Sequence, residues 1–508
     1  MLGPGQSSQS IWTPFESITT ATVRPLKARC LIAWTRDTSD ASYAIIGSAL
    51  VGGTDVVQGI GESVINDADL YNYFDETERV MRLEYERHLI EPLGGSAIAM
   101  ADIVLENTDL RFTPDFNATI GTALKPNRPV KMYIGFEVNG IEMTIPIIEG
   151  LSMQPKENKI NRTVSISVYD FMKFLNEKPQ ETAVYTNQRS DEIIADILAR
   201  AGVGSSAYRL DQGLNTIGFA WFEKGQTAGS RIRKICEAEE AIFYQDEQGI
   251  FRFENRDKYS QLPYNAPVWT IEPDDILEWQ QEPSSDIINR ALVKGTPRSV
   301  KGEAEIWHDG VEEEIPAGTT LVVWAQFEDP VSSITAPDSG FDYQAFTLSG
   351  GLGSDITNDI DIVVTSFTKT AKLEITNNNG SAAFLYLLRL RGTPASIDYE
   401  LTEVFQDDDS ITTYNEYQTE VENEYIDNRK FARNMAQNLV RRHRNPLGIL
   451  TLKIRGVPQL QLRDQLRIKD MDLDTYKNYR LIGIQGVFEP GSFVQTLTLR
   501  EITSNEAL

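Results

Sequence analysis

Apolar and polar positions alternate in short runs along much of this chain. Between Arg162 and Tyr169, Val164, Ile166 and Val168 fall on one side, and Thr163, Ser165 and Ser167 on the other. A period of two is that of a strand with one face toward a core. The runs RPLKARCLIAWT, YAIIGSALV, VMRLEYERHLI, SAIAMADIVLE, RPVKMYIGFEV and EMTIPIIEGLSM repeat the theme between turn residues. Such spacing predicts an antiparallel barrel or sandwich over 23–181, behind an N-terminal arm at 1–22. Phe171 to Leu175 turns into a short helix.

At Ser190 the period changes. Ser190 reads as a helix cap, Asp191 and Glu192 suit the first turn, and Ile193, Ile194, Ile197 and Leu198 form a stripe that Gly202 ends. A second helix spans about Thr227 to Glu240, and AIFYQDEQGIFRFENRD predicts a hairpin around a glycine turn. These elements predict an α+β middle domain at 182–258. Strand-like runs return at Ile271, and 301–411 holds only further strands, with Asn378-Asn379-Gly380 offering φ > 0 residues for a tight hairpin. That stretch reads as a β-sandwich inserted into a second, discontinuous barrel at 259–300 and 412–508. The last part carries a helix with Phe431, Met435 and Leu439 on one face, and a hairpin around Glu489-Pro490-Gly491-Ser492. The fold class is therefore mainly β with an α+β middle domain.

The most specific local signal is Ala101 to Pro114, ADIVLENTDLRFTP. Ile103 and Leu105 alternate with Asp102, Val104 and Glu106. Then Asn107-Thr108-Asp109 breaks the pattern with side chains that bond their own backbone, and Pro114 closes the unit after Arg111 and Phe112. Downstream come LKPNRPVKMYIGF, ending at Gly135-Phe136, and IPIIEGLSMQP. In this order the motifs resemble the tail-hub proteins of tailed bacteriophages. The block from Ala220 to Asp257, the run ILEWQQEPSSDIINRALV, the helix after Ile426, GVPQLQLRDQLRI and the terminal hairpin are similar to the same family.

The resemblance implies two tail-tube-like β-barrels per subunit, so that three copies present six barrels to a hexameric tube. It implies a structural virion protein at the tail tip, assembled in the host cytoplasm, that continues the tube and forms part of the ejection channel. The implied partners are two further copies of the chain, a tail-tube or distal-tail protein, a tape-measure protein, and tail fibres or tip proteins; DNA only passes through. Leu105, Asn107, Asp109, Arg111, Phe112, Pro114 and Gly135 would be structural motif residues. The acidic stretch Gly52 to Glu76 and the inserted domain depart from the family pattern.

Composition narrows the partners. A net charge of −26 over 508 residues argues against wrapping DNA, because phosphate binding depends on clustered Lys and Arg. An acidic wall past which DNA slides is compatible with it, as is plain solubility. Cys30 and Cys236 have no metal spacing and read as reduced, buried thiols. His88, His308 and His443 form no ligand pair, and neither a Gly-x-Ser-x-Gly elbow nor a Cys–His pair is present. No cofactor, metal or catalytic residue is expected, and no apolar run is long enough to span a bilayer. An enzyme that opens the cell wall is the weakest of three readings.

Two features stay open at this level. From Gly392 to Asn428 there is no Lys or Arg while Asp407, Asp408 and Asp409 stand together; directly after come Arg429, Arg433, Arg441 and Arg442 on one helix. This is either a solvated linker beside a soluble helix, or a contact between the helix of one copy and the acidic segment of the next. Within the insertion, Trp307, Trp324 and Tyr343 are either core residues or stacking platforms for a glycan of the host. The latter would make the chain a receptor-binding module.

Overall fold

The computed structural model describes residues 26–36, 71–89, 97–114, 116, 120–138, 141–179, 184–222, 225–283, 287–446 and 448–502. The arm at 1–22, the run Tyr43 to Val51 and residues 52–70 of the acidic stretch lie outside them.

The protein is mainly β, and its largest element is a fourteen-stranded sheet. Its main path runs Ile276–Pro283, Gly448–Arg455, Ser492–Glu501, Tyr476–Glu489, Val80–Leu89, Ala97–Glu106, Thr163–Tyr169, Ile141–Ser152, Pro129–Val138, Leu26–Arg36 and Tyr71–Asp75. The first strand comes from the middle of the chain, the next three from the C-terminal third and the rest from the N-terminal third. Two separate closed barrels are therefore a reading to correct: among the described residues no sheet closes on itself, and both sets of strands share one sheet and one core. The physical reason lies at the seam. Val80–Leu89 and Tyr476–Glu489 would each be an exposed edge, and pairing them antiparallel satisfies both rows of backbone donors and acceptors. Tyr85 lies across Gly486, where a Cβ would come within 2.2 Å of its ring, and its hydroxyl accepts from Gln495 Nε2 at 2.8 Å.

Alternation works as the pattern predicts. Val164, Ile166 and Val168 are buried, and Ser165 is exposed. The terminal hairpin turns at Gly491, φ +90°, with Glu489 opposite Ser492.

A second core gathers the helices Ser190–Arg200, Ala228–Glu239 and Arg429–His443 with the hairpin Ile242–Gln245 and Phe251–Glu254. Thr227 caps the second helix, accepting from Ser230 N at 3.2 Å. Ser190 is not a cap; Arg189 holds that position, and the Ser190 hydroxyl donates to buried Glu239. The strand Arg290–Gly295 and the helix Arg429–His443, expected in the second barrel, pack here instead. Arg290–Gly295 forms its own sheet with Leu401–Gln406 and Gln418–Glu422.

A third core fills the insertion. Ala383–Ile397, fifteen residues long, is the spine of a seven-stranded sheet, and Thr320–Gln326, Thr370–Asn377 and Ile360–Ser366 form a three-stranded sheet against the same core. Asn378-Asn379-Gly380 is not a φ > 0 hairpin turn. None of the three has positive φ, and the segment crosses from one sheet to the other. Buried Asn377 makes the crossing possible by donating to the carbonyls of Ile315 and Ser381, both at 2.9 Å.

Candidate functional site

The motif turn is a polar clamp around one buried carboxylate. Leu105 is fully buried, ending the strand, and Asn107 follows at 0 % exposure. Its Oδ1 accepts from Phe112 N at 2.9 Å, while its Nδ2 donates to Thr113 Oγ1 and Glu157 Oε1, both at 3.3 Å. One amide thus closes the turn and ties it to the next hairpin, which is why no apolar residue serves at this position. Leu110 takes φ +60° at the bend.

The charged motif residues reach outward to the turn between Tyr71–Asp75 and Val80–Leu89. Asp109 takes both guanidinium nitrogens of Arg79, at 2.9 and 2.7 Å. Those bonds hold its carboxyl below the usual carboxylate range. Arg111 grips Glu76 through Nε at 3.0 Å and Nη2 at 2.8 Å, and Glu76 also accepts from Trp34 Nε1 at 3.0 Å. Phe112, 2 % exposed, packs on Trp34 with ring centroids 5.8 Å apart. Pro114 is exposed but backs onto Gly121, where a Cβ would meet its carbonyl oxygen at 2.2 Å. Gly135 allows a closer approach still, since a Cβ there would stand 1.9 Å from Met143 O. Glu76, Arg79 and Trp34 escaped the sequence reading; the run FDETER gives no hint that its first Glu is the buried one.

The acidic and basic segments meet within one chain. Glu403 receives Arg429 at 2.5 Å and Arg433 at 3.1 Å; Asp407 receives Arg444 at 2.9 Å and caps the short helix Asp408–Tyr414. Asp408 accepts from Gln406, and the Asp409 carbonyl from Thr413. Arg442 lies 3.5 Å from Glu240, and Arg441 is exposed. The aromatic trio separates. Tyr343 is buried, Trp307 is half-buried against the core, and Trp324 is 53 % exposed with Phe367 stacked on it at 5.9 Å.

His88 and His308 are exposed, and His443 is buried in the helical core region. Among the described residues no group of three or more His, Cys, Asp or Glu is placed to hold a metal, and no helix is long and apolar enough to cross a membrane. Cys30 and Cys236 are free and fully buried, and burial pushes both thiols up, away from reactivity.

No family model and no curated protein matches this chain. Solved structures do, and three of those it is similar to are tail proteins. The tail protein from Neisseria meningitidis MC58 is 12 % identical with a TM-score of 0.49, over 86 % of this chain and 95 % of that one. The 43 kDa tail protein of prophage MuSo2 from Shewanella oneidensis is 10 % identical with a TM-score of 0.47, over 86 % and 96 %. A prophage tail protein from Listeria monocytogenes EGD-e is 8 % identical with a TM-score of 0.40, over 85 % and 92 %.

Proposed function

We propose that this chain is a non-enzymatic structural subunit of a phage tail tip, a hub that works as a trimer and lines part of the passage for DNA. One observation carries the reading: the outer face of the long sheet, mostly polar, continues across the seam. In one row Glu278, Lys453, Thr496, Gln485, Glu86 and Met100 stand side by side on successive strands; in the next, Arg455, Val494, Val487, Glu84, Asp102 and Ser167. A shallow recess of about 250 Å³ lies on this face at the seam.

The charges on the face are unequal. Arg82 is engaged by Glu84 at 3.0 Å and Glu489 at 2.5 Å, and Lys453 by Glu278 at 2.5 Å. Glu86, Asp102 and Glu106 add negative charge beyond these pairs, more than Arg455 offsets. A wall of this kind repels phosphate and lets a duplex pass without sticking. In this reading each copy contributes one arc of sheet, three arcs surround the channel, and the tube protein, tape-measure protein and fibres or tip proteins dock around them. Mass photometry of the purified chain should give a species of three times 57.1 kDa. Arg441→Glu with Arg442→Glu should weaken it more at low than at high salt. A monomer at micromolar concentration removes the hub reading; an unchanged trimer in the double variant removes only the helix from its contact.

A second reading is favoured by the exposure of Trp324. With Phe367 behind it, the indole presents a fixed aromatic face on the outside of the insertion. On a glycan array the full chain should retain a neutral sugar, and Trp324→Ala should lose at least about tenfold in affinity, the scale of one stacking contact. An array on which the parent chain binds nothing discards this reading and leaves the hub untouched.

A further inference from the structure

The hairpin beside the motif turn ends in a basic prong. Lys156–Asn158 pairs antiparallel with the start of Thr163–Tyr169, Lys156 opposite Ser165 and Asn158 opposite Thr163. At the tip, Asn158 Oδ1 accepts from Ile160 N at 3.1 Å and from Asn161 N at 3.0 Å, and Arg162 takes φ +55°. The motif turn braces the prong: Asn107 N donates to Arg162 O at 2.7 Å, and Glu157 accepts from Thr113 Oγ1 at 2.6 Å. Held this way, Ile160 is 93 % exposed, and Lys156, Lys159 and Arg162 are exposed around it with no ion pair among the described residues. A lone exposed apolar side chain is ordinary. Three unpaired cations gathered about it, on a chain of net charge −26, are not.

The opposite charge stands at the same end of the long sheet, across seven adjacent strands. From Lys156 the cross-strand row passes Ser165, Val104 and Arg82. Beyond the seam hairpin at Glu489 and Ser492, Val494 lies beside Arg455 and Ile454 beside Ile276. Ile276–Pro283 ends the path and is paired on one side alone among the described residues. Leading into it, Asp274 and Asp275 are exposed and carry no ion pair among the described residues; a bulge follows at Leu277, which is 48 % exposed. Glu278 and Glu282 continue the negative edge, offset in part by Lys453 on Glu278. At the usual strand spacing the two surfaces stand roughly 30 Å apart along the sheet, and no ion pair joins them among the described residues of one copy.

We propose that the prong of one copy seats on the acidic edge of the next, Ile160 against Leu277, and Lys156, Lys159 and Arg162 against Asp274, Asp275 and Glu278. This rests on the hub reading and names the surfaces that join its copies. Two unlike surfaces make a head-to-tail contact, the kind that closes into a ring, whereas a single self-matching patch stops at a pair. The charges steer the approach and fix the register, and the apolar pair fills the centre. The motif clamp has its purpose here, since a tip already held rigid meets its partner with little further cost in order.

Mass photometry of the full chain over a dilution series tests it. Lys156→Glu with Lys159→Glu should raise the concentration needed for the trimer at least about tenfold at low salt, and Asp274→Lys with Asp275→Lys should do the same. The two reversals move the net charge in opposite directions, so general repulsion does not account for a loss in both. All four substitutions together should bring the trimer back to within about threefold of the parent, and that rescue also excludes misfolding as the cause of either loss. A parent trimer that neither reversal weakens, or a loss that the fourfold exchange does not repair, overturns the contact and leaves the hub standing. A parent that stays monomeric removes both.

Discussion

Glu76→Ala should cost about 3–5 kcal/mol, the scale of breaking a buried ion pair, and unfold the N-terminal end of the long sheet first. Glu76 is 2 % exposed and is the acceptor on which Trp34 and Arg111 converge, with Arg79 Nε a further 3.5 Å away. Alanine leaves the indole N–H without its acceptor and the Arg111 guanidinium facing a void, each carrying a desolvation cost. Glu76→Gln should fall between, because an amide oxygen still accepts from Trp34 but offers Arg111 no charge. Urea unfolding followed by tryptophan fluorescence reads both effects. A loss under about 1 kcal/mol for Glu76→Ala would mean that the motif turn does not depend on this carboxylate.

Gly135→Ala should be nearly as damaging, although it adds a single methyl group. Gly135 sits mid-strand, opposite Thr144 on one side and Lys27 on the other, so both neighbours are fixed by ladder hydrogen bonds. The new Cβ would stand 1.9 Å from Met143 O and 2.7 Å from Thr144 Cα, and both are backbone. Relief needs the hairpin to part, with an expected loss of about 3 kcal/mol, the upper end for overpacking. Gly380→Ala is the matched control, since nothing lies within 4 Å of its Cβ and its φ is not positive. Equal thermal midpoints for the two variants would refute the steric account of the motif glycine.

Much of this fold was legible because strand periodicity and turn chemistry are local. Val164, Ile166 and Val168 announce their face, Gly491 its hairpin and Asn107 its turn, and each is settled within a few residues. The seam was illegible for the opposite reason. An edge strand and an interior strand share one period, so nothing in VMRLEYERHLI says that its partner is YRLIGIQGVFE. Arg290–Gly295 and the basic helix misled in the same way: their apolar stripes predict burial but not which core receives them. Of the clamp, Asn107, Asp109 and Arg111 could be read from the motif, whereas Glu76 could not, because a buried acid looks like an exposed one until its cations are in place. The aromatic residues show the same limit. Trp307, Trp324 and Tyr343 are alike in sequence, and strand phase and sheet position alone distinguish the exposed ring from the core ones.

The seam also sets a schedule for the newborn chain. Glu84 waits for Gln485, 401 positions further on, and at the pace of translation, about 5–20 residues per second, that delay is roughly 20–80 s. Throughout it the seven N-terminal strands of the main path leave the ribosome with one flank uncovered. Whatever shields that flank, a chaperone or a transient fold of the nascent segment itself, is as much a requirement for this molecule as any contact in its finished form.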